Sequence, residues 1–404
     1  MAVFNLWRRR GLCPPDYAGG SSLNLLASII RARGGRSSHR ELTGLPAAML
    51  RQYPRLALLV IDGIGERQLA RHLAAGGGRQ FLGAHSRRVI TTVFPATTAA
   101  ATTTLTTGAS PTEHGVLGWH LHLPDLGLVS TILKATTRTG VPLAGQQFDF
   151  TRYLALPSPL ETTRGQRVLL SFGAIPRSRF SRAGTHWTER RAFQTLAGME
   201  RRLIQFARGR SAGLAYAYWP LYDTLVHEYG SHHRRARQHL ETIDAALSRL
   251  TDKFAGTGTV LLVTADHGLV DVPPECRVDL RSVPGFYEAL AMLPSGDARQ
   301  VHCFVRPAHA RTFAARVRRS LGHACYCVPG AEILQSGLFG PGRPHPALAS
   351  RTGDFVLLAR DQYAFTSPLP DERADFLAAN HGGMSADEML VPLYVLLPNG
   401  ETMR

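Results

Sequence analysis

Two stretches of this chain share a pattern that few folds can satisfy. Leu56–Asp62, "LALLVID", and Thr259–Gly268, "TVLLVTADHG", are short unbroken apolar runs that stop at an aspartate and then a glycine-bearing loop. An apolar run without alternation reads as a strand covered on both faces, as in a parallel sheet between helical layers. Three further runs fit beside them: "RRVITTVFP" stopped by Pro95, "GLAYAYWP" ended by Pro220, and "MLVPLYVLLP" near the C-terminus. Between the runs, a helix is expected over Thr98–Thr107 with Gly108 as its stop, and a long one from about Leu221 through Leu250. "PDYAGGSSLNLLASII" is expected to cap and start an early amphipathic helix. Strands alternating with helices predict an α/β domain with a mainly parallel sheet.

Two segments interrupt this rhythm. Residues 120–210 are rich in Arg, Thr and aromatics with weak periodicity, and read as an inserted cap. Residues 274–370 hold a strand ("VHCFVRP"), an amphipathic helix ("ARTFAARVRRSL"), a Gly/Pro loop and another strand ("DFVLLAR"), which reads as a small α+β insertion. The expected catalytic core is then 1–119, 211–273 and 371–404.

Composition limits what the chain can be. With 404 residues and 44% hydrophobic content it can build a large core. No apolar run approaches the roughly 18–20 residues of a membrane span, and Pro14, Pro15 and Asp16 stand where the apolar part of an export signal would be. Five scattered cysteines suit a reducing compartment, so a soluble, cytoplasmic protein is expected. The net charge of +16 comes almost wholly from arginine, since Lys134 and Lys253 are the only lysines. The charge is dispersed and reads first as a solvated basic surface, then as an aid in attracting an anionic substrate. A pure polyanion binder is the non-enzymatic alternative, and nucleic acid is not expected as a specific partner.

Ligands of open α/β sheets bind beyond the carboxyl ends of the strands, and that is where the unusual residues lie. Asp62 ends one strand and a threonine cluster, Thr91–Thr107, follows the next. Asp223 and His227 follow a third, four residues apart on one helix face. Asp266 and His267 end a fourth, and His381 in "NHGGM" precedes the last. Alone, each is an ordinary cap, surface pair or loop residue. Together they form an oxygen and nitrogen set suited to zinc or manganese, with enough ligands for two ions. Two such ions clamp the attacking and leaving oxygens in phosphoryl transfer.

The series "VIDGIG", "TTVFPATTAAATTTLTTGASPTEHGVLGW", "YWPLYDTLVHEYG", "VTADHGLVD" and "NHGGM" resembles the alkaline phosphatase superfamily, and within it the type I phosphodiesterase/nucleotide pyrophosphatase family. The resemblance implies a doubly wound α/β core, two divalent metals, usually zinc, and a Thr or Ser nucleophile that becomes phosphorylated. It implies Asp62, Asp266 and His267 on one metal and Asp223, His227 and His381 on the other. The family nucleophile lies ten residues before the Gly of its "TG" motif. Counting back from Gly108 gives Thr98, also a ligand in that scheme, with Thr97 as the rival. The substrate so implied is a small anionic phosphoester, a nucleotide among the candidates. A phosphodiester or pyrophosphate is expected, with phosphomonoesters and phosphonates as alternatives. Where nucleotide pyrophosphatases usually carry an Asn, three residues after the nucleophile, this chain has Ala101. His114 reads as structural, His120 and His122 as flanking Trp119, and His232 and His233 as surface residues.

Overall fold

The computed structural model describes residues 2–143, 150–154, 156–183, 187–369, 372 and 374–403. Its main sheet has seven strands, in the order Arg88–Thr91, Leu390–Leu396, Thr259–Thr264, Arg55–Ile61, Gly213–Trp219, Gln166–Phe172, Glu189–Phe193. Every residue of the two central strands, Arg55–Ile61 and Gly213–Trp219, is buried, as expected of strands with both faces covered. Pairing is parallel except around Leu390–Leu396, which runs antiparallel to both neighbours. The architecture is α/β with a mainly parallel sheet.

The registers gather the strand ends. Ile61 lies opposite Trp219 and Val60 opposite Thr264, so Asp62, Pro220 and Ala265 leave the sheet along one edge. The antiparallel strand begins there, with Leu390 opposite Thr91. A residue just before that strand therefore meets residues just after the others.

The second sheet was not foreseen. Seven strands pair antiparallel in the order Cys325–Pro329, Phe355–Ala359, Gln300–Cys303, Ser295–Asp297, His120–Leu123, Leu128–Thr131, Thr136–Thr137. The start of the expected cap thus joins the strands of the expected small insertion. The end of that cap, Gln166–Phe172 and Glu189–Phe193, belongs to the main sheet. Sheet membership divides 120–210, because strands of two to four residues carry too little periodicity to announce their partners. The boundary at 370–371 lies outside the described residues. Packing within the second sheet is tight where its two parts meet, since a Cβ on Gly118, just before His120–Leu123, would stand 2.6 Å from the Gly296 Cα.

The threonine helix runs Thr98–Thr107 and ends at Gly108, whose φ of 79° only glycine adopts readily. The long helix expected from Leu221 is broken in two, Leu221–Tyr229 and Arg234–Phe254. Gly230, at φ 86°, ends the first, and the His233 side chain accepts from the Arg235 N–H to start the second. No helix among the described residues is long and apolar enough to cross a membrane.

Candidate metal and phosphoryl site

The strand-end residues meet. His267 Nε2 stands 3.0 Å from Thr98 Oγ1 and 3.5 Å from both Asp62 Oδ1 and Asp266 Oδ2. His227 Nε2 is 3.3 Å from Asp223 Oδ2. The His381 ring lies over His267 at 3.9 Å between centroids and 5.0 Å from His227. Two groups of donor atoms fall within 4.8 Å of one another: Asp223, His227 and His381, and Asp62, Asp223 and His267. Asp223 thus reaches both groups, a sharing that spacing along the chain does not reveal. Asp266 is held by the Gly63 and His267 N–H groups on Oδ1, which leaves Oδ2 facing inward.

The electrostatics of this cluster call for a cation. Burial pushes the Asp62 carboxyl well above the usual range, and the Asp266 and Asp223 charges add to it. Burial also raises Asp223, opposed by His227 and His267. Burial, then His267 and His227, holds His381 well below the ordinary histidine range. Asp62 Oδ1, Asp223 Oδ1, Asp266 Oδ2 and His381 Nδ1 are shut off from solvent with no hydrogen-bond partner among the described residues. The Nδ1 atoms of His227 and His267 face the carbonyls of Ala379 and Gly268, at 2.7 and 3.2 Å. Those contacts assign the Nδ1–H tautomer, which turns each Nε2 lone pair toward carboxylate oxygens. Lone pairs facing lone pairs in a dry site are costly unless positive charge lies between them. The donor set therefore fits divalent ions with oxygen and nitrogen ligands.

Thr98 opens its helix, where the first N–H groups have no carbonyl a turn earlier to accept from them. Thr97 occupies the cap position without a side-chain cap bond to the helix, and its buried hydroxyl faces the Asp297 carboxyl. Ala101 packs with Leu23 and Val93 and lines neither cavity at the site. A longer polar side chain there would enter the core, so its absence removes no donor from Thr98. His114 is structural in position: it is buried, with Nε2 3.2 Å from Thr104 Oγ1 and Nδ1 accepting from the Val116 N–H.

Two cavities flank Thr98. One of about 580 Å³ is lined by His120, Lys134, Arg138, Asp297 and His381, among others. The other, of about 380 Å³, runs between the threonine helix and the face of the main sheet. Thr98, Trp119, Lys134 and Asp223 line both. The expectation for His120 needs correction: it lines the larger cavity and bonds to Arg138, whereas His122 turns away to the Ser350 carbonyl. Sequence reasoning also missed Lys134, Arg138 and Asp297. Burial pushes the Asp297 carboxyl up to about 7, and it accepts from the Trp119 N–H at 3.0 Å. Nothing local in the sequence marks these three, because the second sheet brings them in. Tyr218 did carry a signal. It alternates with Tyr216 toward the Asp62 face, and its hydroxyl donates to Asp62 Oδ2.

The family model described as type I phosphodiesterase / nucleotide pyrophosphatase matches residues 56–384. No curated protein matches the chain. Among solved structures, phosphonoacetate hydrolase from Sinorhizobium meliloti 1021, in complex with phosphonoformate, is similar at 16% identity and a TM-score of 0.63, covering 85% of this chain and 90% of that one. Murine ectonucleotide pyrophosphatase / phosphodiesterase 5 is similar at 15% identity and a TM-score of 0.60, covering 85% and 89%. An inactive form of that murine protein in complex with AMP gives 15%, 0.59, 85% and 89%. At these identities the likeness is one of fold.

Proposed function

The chain belongs to the type I phosphodiesterase/nucleotide pyrophosphatase family, and we propose that it cleaves phosphodiester or pyrophosphate bonds through a phosphothreonine at Thr98. One observation carries this reading: unpartnered carboxylate oxygens and imidazole lone pairs converge beside the Thr98 hydroxyl. Asp62, Asp266 and His267 would hold one divalent ion and Asp223, His227 and His381 the other, with Asp223 within reach of both. Zinc suits that donor set, with manganese as the alternative. When bound, such ions supply Lewis acidity, lowering the pKa of a hydroxyl and drawing charge from phosphoryl oxygens.

The protein's own groups do the rest. The Thr98 hydroxyl attacks phosphorus and the ester or pyrophosphate arm departs; water then hydrolyses the phosphothreonine. The N–H groups at the start of the threonine helix orient the phosphoryl oxygens. The smaller cavity offers room for one arm of a diester. The second sheet and the residues packed over the threonine helix are read as the parts that set substrate choice. A small anionic phosphoester, a nucleotide among the candidates, is the proposed substrate. A cytoplasmic location, suggested by five unpaired cysteines, belongs to the same reading.

A second reading has its own support. Lys134 and Arg138 line the larger cavity, and the dianion of a monoester or phosphonate needs such cations. Steady-state kinetics on bis-p-nitrophenyl phosphate and p-nitrophenyl phosphate separate the two. The expected outcome is a higher kcat/KM for the diester. A higher value for the monoester moves the protein to the phosphatase reading.

A further inference from the structure

The cap of the threonine helix is unlike two other hydroxyl caps of this chain. Ser110 and Thr195 each accept a first-turn N–H of their own helix, from Glu113 at 3.3 Å and from Gly198 at 3.0 Å. Thr97 does not. Its backbone is that of a cap residue, extended at φ −135° and ψ 146°, and its carbonyl accepts from the Ala101 N–H at 2.9 Å. Yet its hydroxyl makes no bond to the helix. A cap hydroxyl ordinarily accepts from the N–H two or three residues on, which here would be Ala99 or Ala100. Among the described residues, no oxygen accepts from the N–H groups of Thr98, Ala99 or Ala100.

Asp297 accounts for the difference. The Thr97 side chain is buried and its hydroxyl faces the Asp297 carboxyl. A carboxylate oxygen only accepts, so the hydroxyl donates to it, and this draws the oxygen away from the helix amides. Asp297 is itself held firmly. It sits in the second sheet opposite Gln300, and its Oδ2 accepts from the Trp119 N–H at 3.0 Å. Two glycines let backbone close around it. A Cβ on Gly382 would stand 2.7 Å from the Asp297 Cβ, and one on Gly118 would stand 3.0 Å from Oδ2. Gly382, at φ 111°, directly follows His381. The carboxylate thus reaches the cap between the turn that carries His381 and the loop that leads into His120–Leu123.

We propose that Asp297 is a positioning residue: by holding the Thr97 hydroxyl off its own helix, it keeps the first-turn N–H groups beside Thr98 open to the phosphoryl oxygens of the substrate. The role of those N–H groups rests on the phosphoester reading above; the orientation of the cap does not. Without the carboxylate, the hydroxyl turns to the amide of Ala99 or Ala100 and competes with the substrate for it. A cap bond of this kind shifts an equilibrium by roughly fivefold, so Asp297 acts on phosphoryl binding through Thr97 and touches no reacting atom. Removing the competing hydroxyl should therefore repair the loss of Asp297, which a role confined to folding does not allow.

Asp297→Ala, Thr97→Val and the double variant test this in zinc-loaded protein, with two readouts. Thr97→Val keeps the branched shape and removes the hydroxyl. The first readout is hydrogen exchange at the Ala99 and Ala100 amides. Asp297→Ala should slow one of them by roughly fivefold, and adding Thr97→Val should restore the wild-type rate. The second is calorimetric binding of inorganic phosphate. Asp297→Ala should weaken it by roughly fivefold, and the double variant should regain at least about threefold. Thr97→Val alone should leave both amides and phosphate binding within about twofold of wild type. This arm holds even if Asp297→Ala does not fold: faster exchange of either amide in Thr97→Val means that the hydroxyl caps the helix, and overturns the inference. Unchanged exchange in a folded Asp297→Ala protein also overturns it, as does a double variant that binds phosphate no better than Asp297→Ala. In each of these cases wild-type phosphate binding and diester turnover leave the phosphoester reading standing. If phosphate binds none of the proteins, wild type included, that reading fails and the inference falls with it.

Discussion

Replacing Arg299 with methionine should loosen the loop that carries His381. Arg299 and Glu388 form a fully buried ion pair, with Nε to Oε1 at 2.8 Å and Nη2 to Oε2 at 3.1 Å. Arg299 also donates to the carbonyls of Asp361 and Tyr363. Glu388 in turn accepts from the Gly383 N–H at 2.7 Å and from the N–H and hydroxyl of Ser385 at 3.0 and 2.6 Å. The pair thus ties the second sheet to the turn just after His381. Breaking one side of a buried pair typically costs about 3–5 kcal/mol. Here the carboxylate keeps three donors, so about 3 kcal/mol is expected. With an unfolding entropy of about 2.1 cal/mol/K per residue, a global loss of that size over 404 residues lowers Tm by roughly 3–4 °C. Hydrogen exchange gives a local reading. If the loss falls on the loop, the Gly383 amide should exchange up to about 100-fold faster. Adding Glu388→Gln to Arg299→Met should cost less than the sum of the single changes, since the two residues share one interaction. An Arg299→Met protein within about 0.5 kcal/mol of wild type, with unchanged Gly383 exchange, would refute the reasoning.

Thr98→Ala should lower kcat by at least about 10³-fold while leaving metal content intact. Thr97→Ala should stay active, and the opposite result shifts the nucleophile by one residue. Elemental analysis should find two zinc ions per chain, and loading at 100 times Kd should stabilise the apo-protein by about 2.7 kcal/mol per site. Because Asp223 reaches both donor groups, Asp223→Ala should weaken both sites and His381→Ala one. Equal losses in the two variants contradict the shared role. Burial, aided by His345 and Arg351, holds His114 down at about 3, below the roughly 6.5 of an unfolded histidine. Between those values the unfolded chain binds more protons, so this contribution is complete above about pH 6.5 and is lost as pH falls toward 3. The stability deficit of His114→Gln relative to wild type should therefore shrink between pH 7 and pH 4, and a constant deficit would contradict the assignment.

The edge of the main sheet was readable because each strand announces its own end. Asp62, Asp266 and Pro220 stop apolar runs, and parallel pairing then places those stops together without further information. The threonine helix was readable for the same local reason, bounded by its cap and Gly108. The break at Gly230–His233 was also written locally, as a glycine followed by a capping side chain, within a helical pattern strong enough to mask it. What escaped was non-local. His120–Leu123 pairs with residues more than 170 positions away through Gly296, and neither segment is long enough to declare that partner. Lys134, Arg138 and Asp297 reach the cavity only through that pairing. The sharing of Asp223 escaped for a different reason: which ligands group together depends on side-chain positions, which order along the chain does not contain.

Thr102 and Thr106 stand one turn apart on a helix face whose hydroxyls are satisfied within the helix. Exchanging either for a larger aliphatic residue strands no polar partner elsewhere and leaves Thr98 where it is. Each such exchange shortens the smaller cavity from one wall by the volume of the added carbons. On the proposed phosphoester reading, descendants of this chain can therefore drift from one substrate to another in small steps, each altering the size of the accepted arm while the strand-end residues are inherited unchanged.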